Sequence, residues 1–153
     1  WGLQRSYDVF VEMDADFSHR PVDLAKILVK IATNDFVVGS RYVAGGSTVN
    51  WGMLRKLISR GGSFYARTIL GYPLRDWTGG FNAWQRRVLN GIDLDTIQSE
   101  GYSFQIELKY KAQKNNYKVK EVPIVFEDRR VGQSKMSLGI VLEAFYKVWM
   151  IRF

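Results

Sequence analysis

Two hydrophobic periods alternate along the chain and lay out its elements. Residues 7–13 (YDVFVEM) are rich in Val, Phe and Tyr and predict a strand. Beyond a polar break, apolar residues recur three and four apart at Leu24, Ile27, Leu28 and Ile31. That spacing predicts a helix ending near residue 32 with this stripe turned inward, and Pro21 suits its first turn. Residues 36–43 are mostly apolar, as in a strand buried on both faces. A Gly-containing loop over 44–48 then leads to a helix over 53–70, with Leu54, Leu57, Ile58, Tyr65 and Ile69 at helical spacing. Gly61 and Gly62 inside that helix each cost about 1 kcal/mol relative to Ala, which implies close packing against a neighbour.

In the second half, residues 75–86 read as a turn feeding a short strand, and 87–92 as a helix. Residues 103–115 predict another helix, with Phe104, Leu108 and Ala112 on one side and Asn115-Asn116 at its end. Residues 117–127 alternate as a strand, and Pro123 predicts an edge position or a bulge. A basic loop over 129–136 follows, and Ser137 is placed to cap a last helix. The order strand–helix–strand–helix–strand–helix–helix–strand–helix predicts an α/β layered domain with a mixed sheet.

Composition adds bounds. At 153 residues, 46% hydrophobic and 24% charged, the chain suits one ordered domain. It has no cysteine, which removes disulfides and thiolate metal sites and suits a cytosolic setting. A net charge of +7 favours anionic partners: nucleic acid, phosphorylated small molecules or an acidic membrane surface. No run approaches the ~20 apolar residues of a membrane-spanning helix. The opening Trp1-Gly2-Leu3-Gln4 carries no Met, so the chain is expected to be a piece of a longer protein.

The candidate chemistry lies at the ends of the predicted strands. Asp14-Ala15-Asp16 follows the first strand, where open α/β sheets place their ligands. Two carboxylates split by a small residue can share a hard divalent cation that clamps a diphosphate, or can simply begin a solvated turn. Arg129, Arg130, Ser134 and Lys135, with Gly132 as a hinge, form either a phosphate clamp or a charged turn. Arg41, behind Ser40 at a strand end, carries the same ambiguity. The paired glycines of Asp76-Trp77-Thr78-Gly79-Gly80-Phe81 let a backbone approach a sugar or nucleotide, and also make ordinary turns. Glu107 is placed either to accept from a sugar hydroxyl or to face water. His19, the one histidine, has no Gly-flanked nucleophile beside it, and as a lone loop histidine is expected to face solvent.

The last helix is apolar nearly all round. Val141, Ala144, Phe145 and Val148 define one face, and Leu142, Tyr146, Trp149, Met150 and Phe153 occupy much of the other. Such a helix is buried or lies on a membrane, and Lys147 and Arg152 suit anionic headgroups. Residues 137–153 are therefore expected to form an amphipathic, membrane-associated helix that follows a body over residues 1–136.

Taken in order, VEMDADFSHRP, VVGSRYVAGGSTVNW, LISRGGSFYARTILG, RDWTGGFNAWQRRVL, SEGYSFQIEL and KVKEVPIVFEDRRVGQSKMS resemble the polyprenol (dolichol) phosphate mannosyltransferases of glycosyltransferase family 2. The resemblance implies a GT-A fold, a Rossmann-like nucleotide half and an acceptor half on one mixed sheet. It implies Mg²⁺ or Mn²⁺ held by Asp14 and Asp16 against the donor diphosphate. Asp16, Arg41, Arg129, Arg130 and Lys135 then carry the transfer, and Asp14, Ser40, Asp76, Thr78, Gly79, Gly80, Glu107 and Ser134 the substrates. Some relatives carry Gln where this chain has Ser18. The family's opening P-x-Y-N-E-like and D-D-x-S-like strands, which hold base and ribose, have no match here, so the chain alone is expected to be inactive and its fold incomplete at the N-terminus.

The activity so implied is inverting transfer of mannose from GDP-mannose to a polyprenyl phosphate. A phosphate monoester with a second pKa of about 6 is already a nucleophile near neutral pH and needs no dedicated base. The implied setting is the cytoplasmic face of a membrane, with an anchoring subunit or domain and no nucleic acid. Glucosyl transfer, or another nucleotide sugar, is the nearest alternative, and a basic nucleic-acid-binding module is a non-enzymatic one.

Overall fold

The computed structural model describes residues 1–128 and 138–153, with backbone alone for 138–142. The strands are β1 (Val9–Glu12), β2 (Phe36–Ser40), β3 (Ser47–Val49), β4 (Asn82–Gln85), β5 (Val119–Pro123) and β6 (Val125–Glu127). The helices are α1 (Pro21–Ile31), α2 (Met53–Leu70), α3 (Arg86–Gly91), α4 (Gly101–Lys114) and α5 (Leu138–Arg152). Four strands form a mixed sheet in the order β1-β4-β2-β5, with β4 antiparallel to both neighbours and β2 parallel to β5. β3 and β6 pair in parallel as a second, two-stranded sheet.

Every residue of β2 is buried, as its unbroken apolar run predicts. Phe36 and Val38 join Trp77, Trp84, Leu70 and Ile106 in a core beneath α2, α4 and α5. Val37 points the other way, into a smaller core of Ile27, Ile31, Phe81, Ala83 and Val122 beneath α1. The expected α/β layering is thus observed, with helices on both faces of a mixed sheet.

Four local expectations are corrected. The loop over 44–48 contains the start of β3, whose partner β6 lies far along the chain. The strand over 117–127 breaks at Ile124, which donates its N–H to the Ser40 carbonyl and accepts from the Ser47 N–H, and so passes the chain between sheets. Pro123 closes β5 at the edge of the larger sheet, as expected. In α1, Leu28 is exposed and the inward seam runs Asp23, Ile27, Ile31. Asp23 is buried because its carboxylate accepts from the Val125 N–H at 3.1 Å as well as from Lys26 and Arg20.

The fourth correction concerns α2. Its inward residues are Ser59, Ser63, Ala66 and Leu70, whereas Leu54 and Leu57 face outward. Small side chains let the helix approach the core, and the serines become hydrogen-bond partners there: Ser59 accepts from Tyr42 at 2.6 Å and Ser63 from the Trp77 N–H at 3.3 Å. A Cβ at Gly61 or Gly62 would meet nothing within 4 Å, so these glycines do not mark close packing. Gly71, with φ +79°, ends the helix in the left-handed conformation that glycine adopts without strain.

Candidate active site

A cleft of about 760 Å³ opens beyond the C-terminal end of β1. Alternation along that strand puts Glu12 and Asp14 on one side. Glu12 braces the floor, accepting from Trp84 Nε1 at 2.8 Å, Asn82 Nδ2 at 3.1 Å and Gln105 Nε2 at 3.3 Å. Asp14 and Asp16 both line the cleft. The turn carrying them is closed by local bonds: the Asp14 N–H donates to His19 Nδ1 at 3.0 Å, and Asp16 Oδ1 accepts from the Ser18 N–H and hydroxyl at 3.0 and 2.5 Å. Phe17 adopts φ +64°, which reverses the chain so that Ser18 reaches back to Asp16.

His19 departs from expectation. It is buried, stacked on Phe81 at 4.5 Å with Phe126 against its edge. Burial lowers its pKa, against the opposing pull of Asp14 and Asp16. In the neutral ring, Nδ1 accepts from Asp14, so Nε2 carries the proton.

The facing wall is the loop from Arg75 to Gly80, tied by four separate elements. Glu121 of β5 accepts from the Arg75 and Asp76 N–H groups at 2.9 and 3.0 Å. Arg41, just past β2, holds the Asp76 carboxylate through Nε and Nη2 at 2.8 and 2.7 Å and also donates to Thr78 Oγ1 at 2.9 Å. Lys109 of α4, fully buried, donates to the carbonyls of Asp76, Trp77 and Gly79 at 3.1, 3.2 and 2.7 Å. Ser63 of α2 completes the set through the Trp77 N–H. Burial works against the charge on Arg41 and on Asp76, but each offsets it for the other, so the arginine's pKa rises and the carboxyl's falls. Burial takes Lys109 down to about 8 despite Asp76 nearby.

Within this frame Gly79 sits so that a Cβ would fall 3.1 Å from Asp76 Oδ1. At Gly80 the nearest atoms to a Cβ would be Asp14 Oδ1 and Gln105 Nε2, both at 3.9 Å, so an open backbone faces the acid pair. Thr78 and Gly80 line the cleft opposite Asp14 and Asp16. An adjoining apolar cavity between α2, α4 and α5 shares Thr78 and Tyr102 with it.

The remaining candidates fall elsewhere. Ser40 is fully buried and accepts from the Tyr42 N–H, away from the cleft. Glu107 pairs with Lys111 at 3.1 Å and lines a different cavity with Tyr110 and Met150. Helical spacing explains this: Tyr102 and Gln105 share the cleft face of α4, and Glu107 projects from another side. Arg129, Arg130, Ser134 and Lys135 lie outside the described residues. Just before them, Asp128 pairs with Arg55 at 2.7 Å, and Arg55 stacks over Trp51 at 4.0 Å.

Among the described residues no group of three His, Cys, Asp or Glu converges on one point. Asp14 and Asp16 therefore offer a partial set of hard oxygen ligands. Such a set fits Mg²⁺ or Mn²⁺, which retain waters and take further oxygens from a bound diphosphate. Sequence reading missed Glu12, Gln105 and Lys109. Alternation from Asp14 back to Glu12 was a usable signal, and the three-residue step from Tyr102 to Gln105 another. Nothing in the pattern around Lys109 marks it as a loop clamp.

Residues 4–92 match the profile described as Glycosyl transferase family 2. The chain belongs to that family. It is 49% identical over 148 residues to the undecaprenyl-phosphate mannosyltransferase of Micrococcus luteus, covering 97% of this chain and 61% of the relative. It is 46% identical over 155 residues to the polyprenol monophosphomannose synthase of Mycolicibacterium smegmatis, covering 99% and 58%. The chain thus spans about three-fifths of these relatives' length. The fold resembles glucosyl-3-phosphoglycerate synthase from Mycobacterium tuberculosis solved with Mg²⁺ and uridine diphosphate, with TM-score 0.65 and 16% identity over 97% of this chain and 50% of that one. The same enzyme with Mn²⁺, uridine-diphosphate-glucose and phosphoglyceric acid gives TM-score 0.61 and 18% identity, covering 97% and 50%. Family membership sets the nucleic-acid module aside.

Proposed function

We propose that the protein to which this chain belongs transfers a mannosyl group from GDP-mannose to a polyprenyl phosphate, inverting the anomeric centre with a divalent cation bound. The observation that carries the proposal is that Asp14 and Asp16 face Thr78 and Gly80 across one cleft at a strand end. Similarity to two mannosyltransferases acting on polyprenyl phosphates supplies sugar and acceptor.

Asp14 and Asp16 hold Mg²⁺ or Mn²⁺, which would neutralise charge on the donor diphosphate. Ser18 fixes the Asp16 rotamer through its two hydrogen bonds. Gly80 admits the donor close to the backbone, and Gln105, held by Glu12, offers an amide to sugar hydroxyls. On the acceptor side, Arg41 holds Asp76 and orients the Thr78 hydroxyl, and Arg129, Arg130, Ser134 and Lys135 neutralise the lipid phosphate. The apolar cavity beside Thr78 suits the first isoprenoid unit. The acceptor oxygen is anionic near neutral pH and attacks without a dedicated base. The chain alone, without the rest of its relatives' length, is inactive. The intact protein works at the cytoplasmic face of a membrane through α5 and an anchoring domain or subunit.

The test is transfer by the intact protein from labelled GDP-mannose and UDP-glucose to a polyprenyl phosphate, in Mg²⁺ with and without EDTA. Metal-dependent mannosyl lipid is expected, and its loss in Asp16→Ala. Transfer from UDP-glucose alone would replace the donor and keep the site. Near-normal rates in Asp16→Ala would overturn the metal assignment.

A further inference from the structure

The cavity that Glu107 lines, of about 260 Å³, lies between α4 and α5 and shares no lining residue with the Asp14–Asp16 cleft. It is far larger than the ~30 Å³ that one water occupies. Three lysines line it, Lys111 and Lys114 from the last turn of α4 and Lys147 from α5. Its one carboxylate among the described residues is Glu107, which Lys111 already neutralises at 3.1 Å. Neither Lys114 nor Lys147 makes an ion pair among the described residues. Arg152 donates to the Tyr110 hydroxyl at 3.4 Å on the same wall and brings a fourth cation to the rim. Like charges gathered around one cavity repel unless an anion lies between them.

A second observation points the same way. Ser99 is 7% exposed and lines the cavity, and its hydroxyl has no hydrogen-bond partner among the described residues. A buried hydroxyl left unpaired is costly, so this one is a donor in want of an acceptor. The charge identifies that acceptor. Three ammonium groups less one carboxylate leave two positive charges, the match for a phosphate monoester above its second pKa of about 6. Lysines bind phosphate as point charges. Met150 and Ile151, three and four residues beyond Lys147 on the same face of α5, add an apolar patch where the ester carbons fit.

We propose that this cavity is a second anion site, which takes a phosphate monoester with a small organic body and uses it to bridge Lys111 and Lys114 of α4 to Lys147 of α5, with Ser99 donating to one of its oxygens. Because the site takes no residue from the cleft, it stands apart from the transfer reading, and its test needs no turnover.

The test is calorimetric titration of the intact protein with inorganic phosphate and with glycerol 3-phosphate, in metal-free buffer. One saturable site is expected, with the ester at least about threefold tighter because its carbons meet Met150 and Ile151. K114Q/K147Q lowers the affinity at least about tenfold, and Ser99→Ala about fivefold. Asp16→Ala in the cleft, and K30Q/K120Q at two exposed lysines elsewhere, leave it unchanged. Amide exchange over residues 143–152 slows with the ester bound, as a bridge between the helices requires. A titration that never saturates would overturn the proposal, as would an equal loss in K30Q/K120Q or a loss confined to Asp16→Ala. So would unchanged exchange in α5. Binding of phosphatidylglycerol vesicles through Lys114 and Lys147, with neither free anion bound, would replace the site with one for a lipid headgroup.

Discussion

The two walls of the cleft are built on opposite plans. The Asp14–Ser18 turn is closed by side-chain bonds spanning at most five residues, with one distant anchor where the Ser18 carbonyl accepts from the Glu127 N–H at 3.1 Å, and its first carboxylate stands exposed. The Arg75–Gly80 loop is held by partners 14 to 46 residues away, two of them buried cations. A buried ion pair is costly to form, and breaking one partner costs more than the pair contributes. The loop is therefore a rigid frame whose charges are spent on itself, while the acid turn keeps charge for a ligand.

The comparison breaks first at Arg41. Arg41→Met leaves Asp76 buried without its cation and should cost about 3–5 kcal/mol in denaturant unfolding; a cost below about 1 kcal/mol would mean the frame is held otherwise. Next comes Lys109, which Asp76, Glu12, Arg41 and Glu121 all influence. Because burial lowers its folded-state pKa to about 8 from the ordinary 10.5, the unfolded chain keeps a proton that the folded one releases between those values. Stability from this group therefore rises with pH across that window, by roughly 3 kcal/mol. Unfolding curves at pH 7.5 and about 10.5 should show this rise in the native chain and not in Lys109→Met.

Gly79→Ala sharpens the comparison more gently. The added methyl meets Asp76 Oδ1 at 3.1 Å, and about 1–2 kcal/mol of destabilisation is expected. At the other wall, Asp14→Asn should leave stability within about 0.5 kcal/mol, while removing metal-dependent transfer from the intact protein. A large stability loss there would erase the distinction between the walls.

How much of this was legible in the sequence differs by element. The unbroken apolar run of β2 and the start and end of α2 were readable, because burial on two faces and helical length leave strong local patterns. The acid pair was readable as a strand-end motif, and Thr78 and Gly80 as a glycine turn. The orientation of α2 was not. Its leucines pointed to an inner stripe, yet the core selected serines and alanine, since close approach and hydrogen bonding outweighed hydrophobicity there. His19 likewise reads as a loop residue and is buried only because Phe81, just before β4, and Phe126 of β6 arrive from distant segments.

The chain's pattern by itself determined an α/β order of elements, a basic balance, and a pair of carboxylates at the end of the first strand. These are properties of neighbours along the chain, set by period, charge and spacing. Only the tertiary structure decided that Arg41 closes on Asp76, that Lys109 ties three carbonyls, that Glu107 leaves the cleft and Gln105 enters it, and that the leucines of α2 face outward. Those outcomes depend on which groups compete for one buried position, and that competition exists only once distant segments meet.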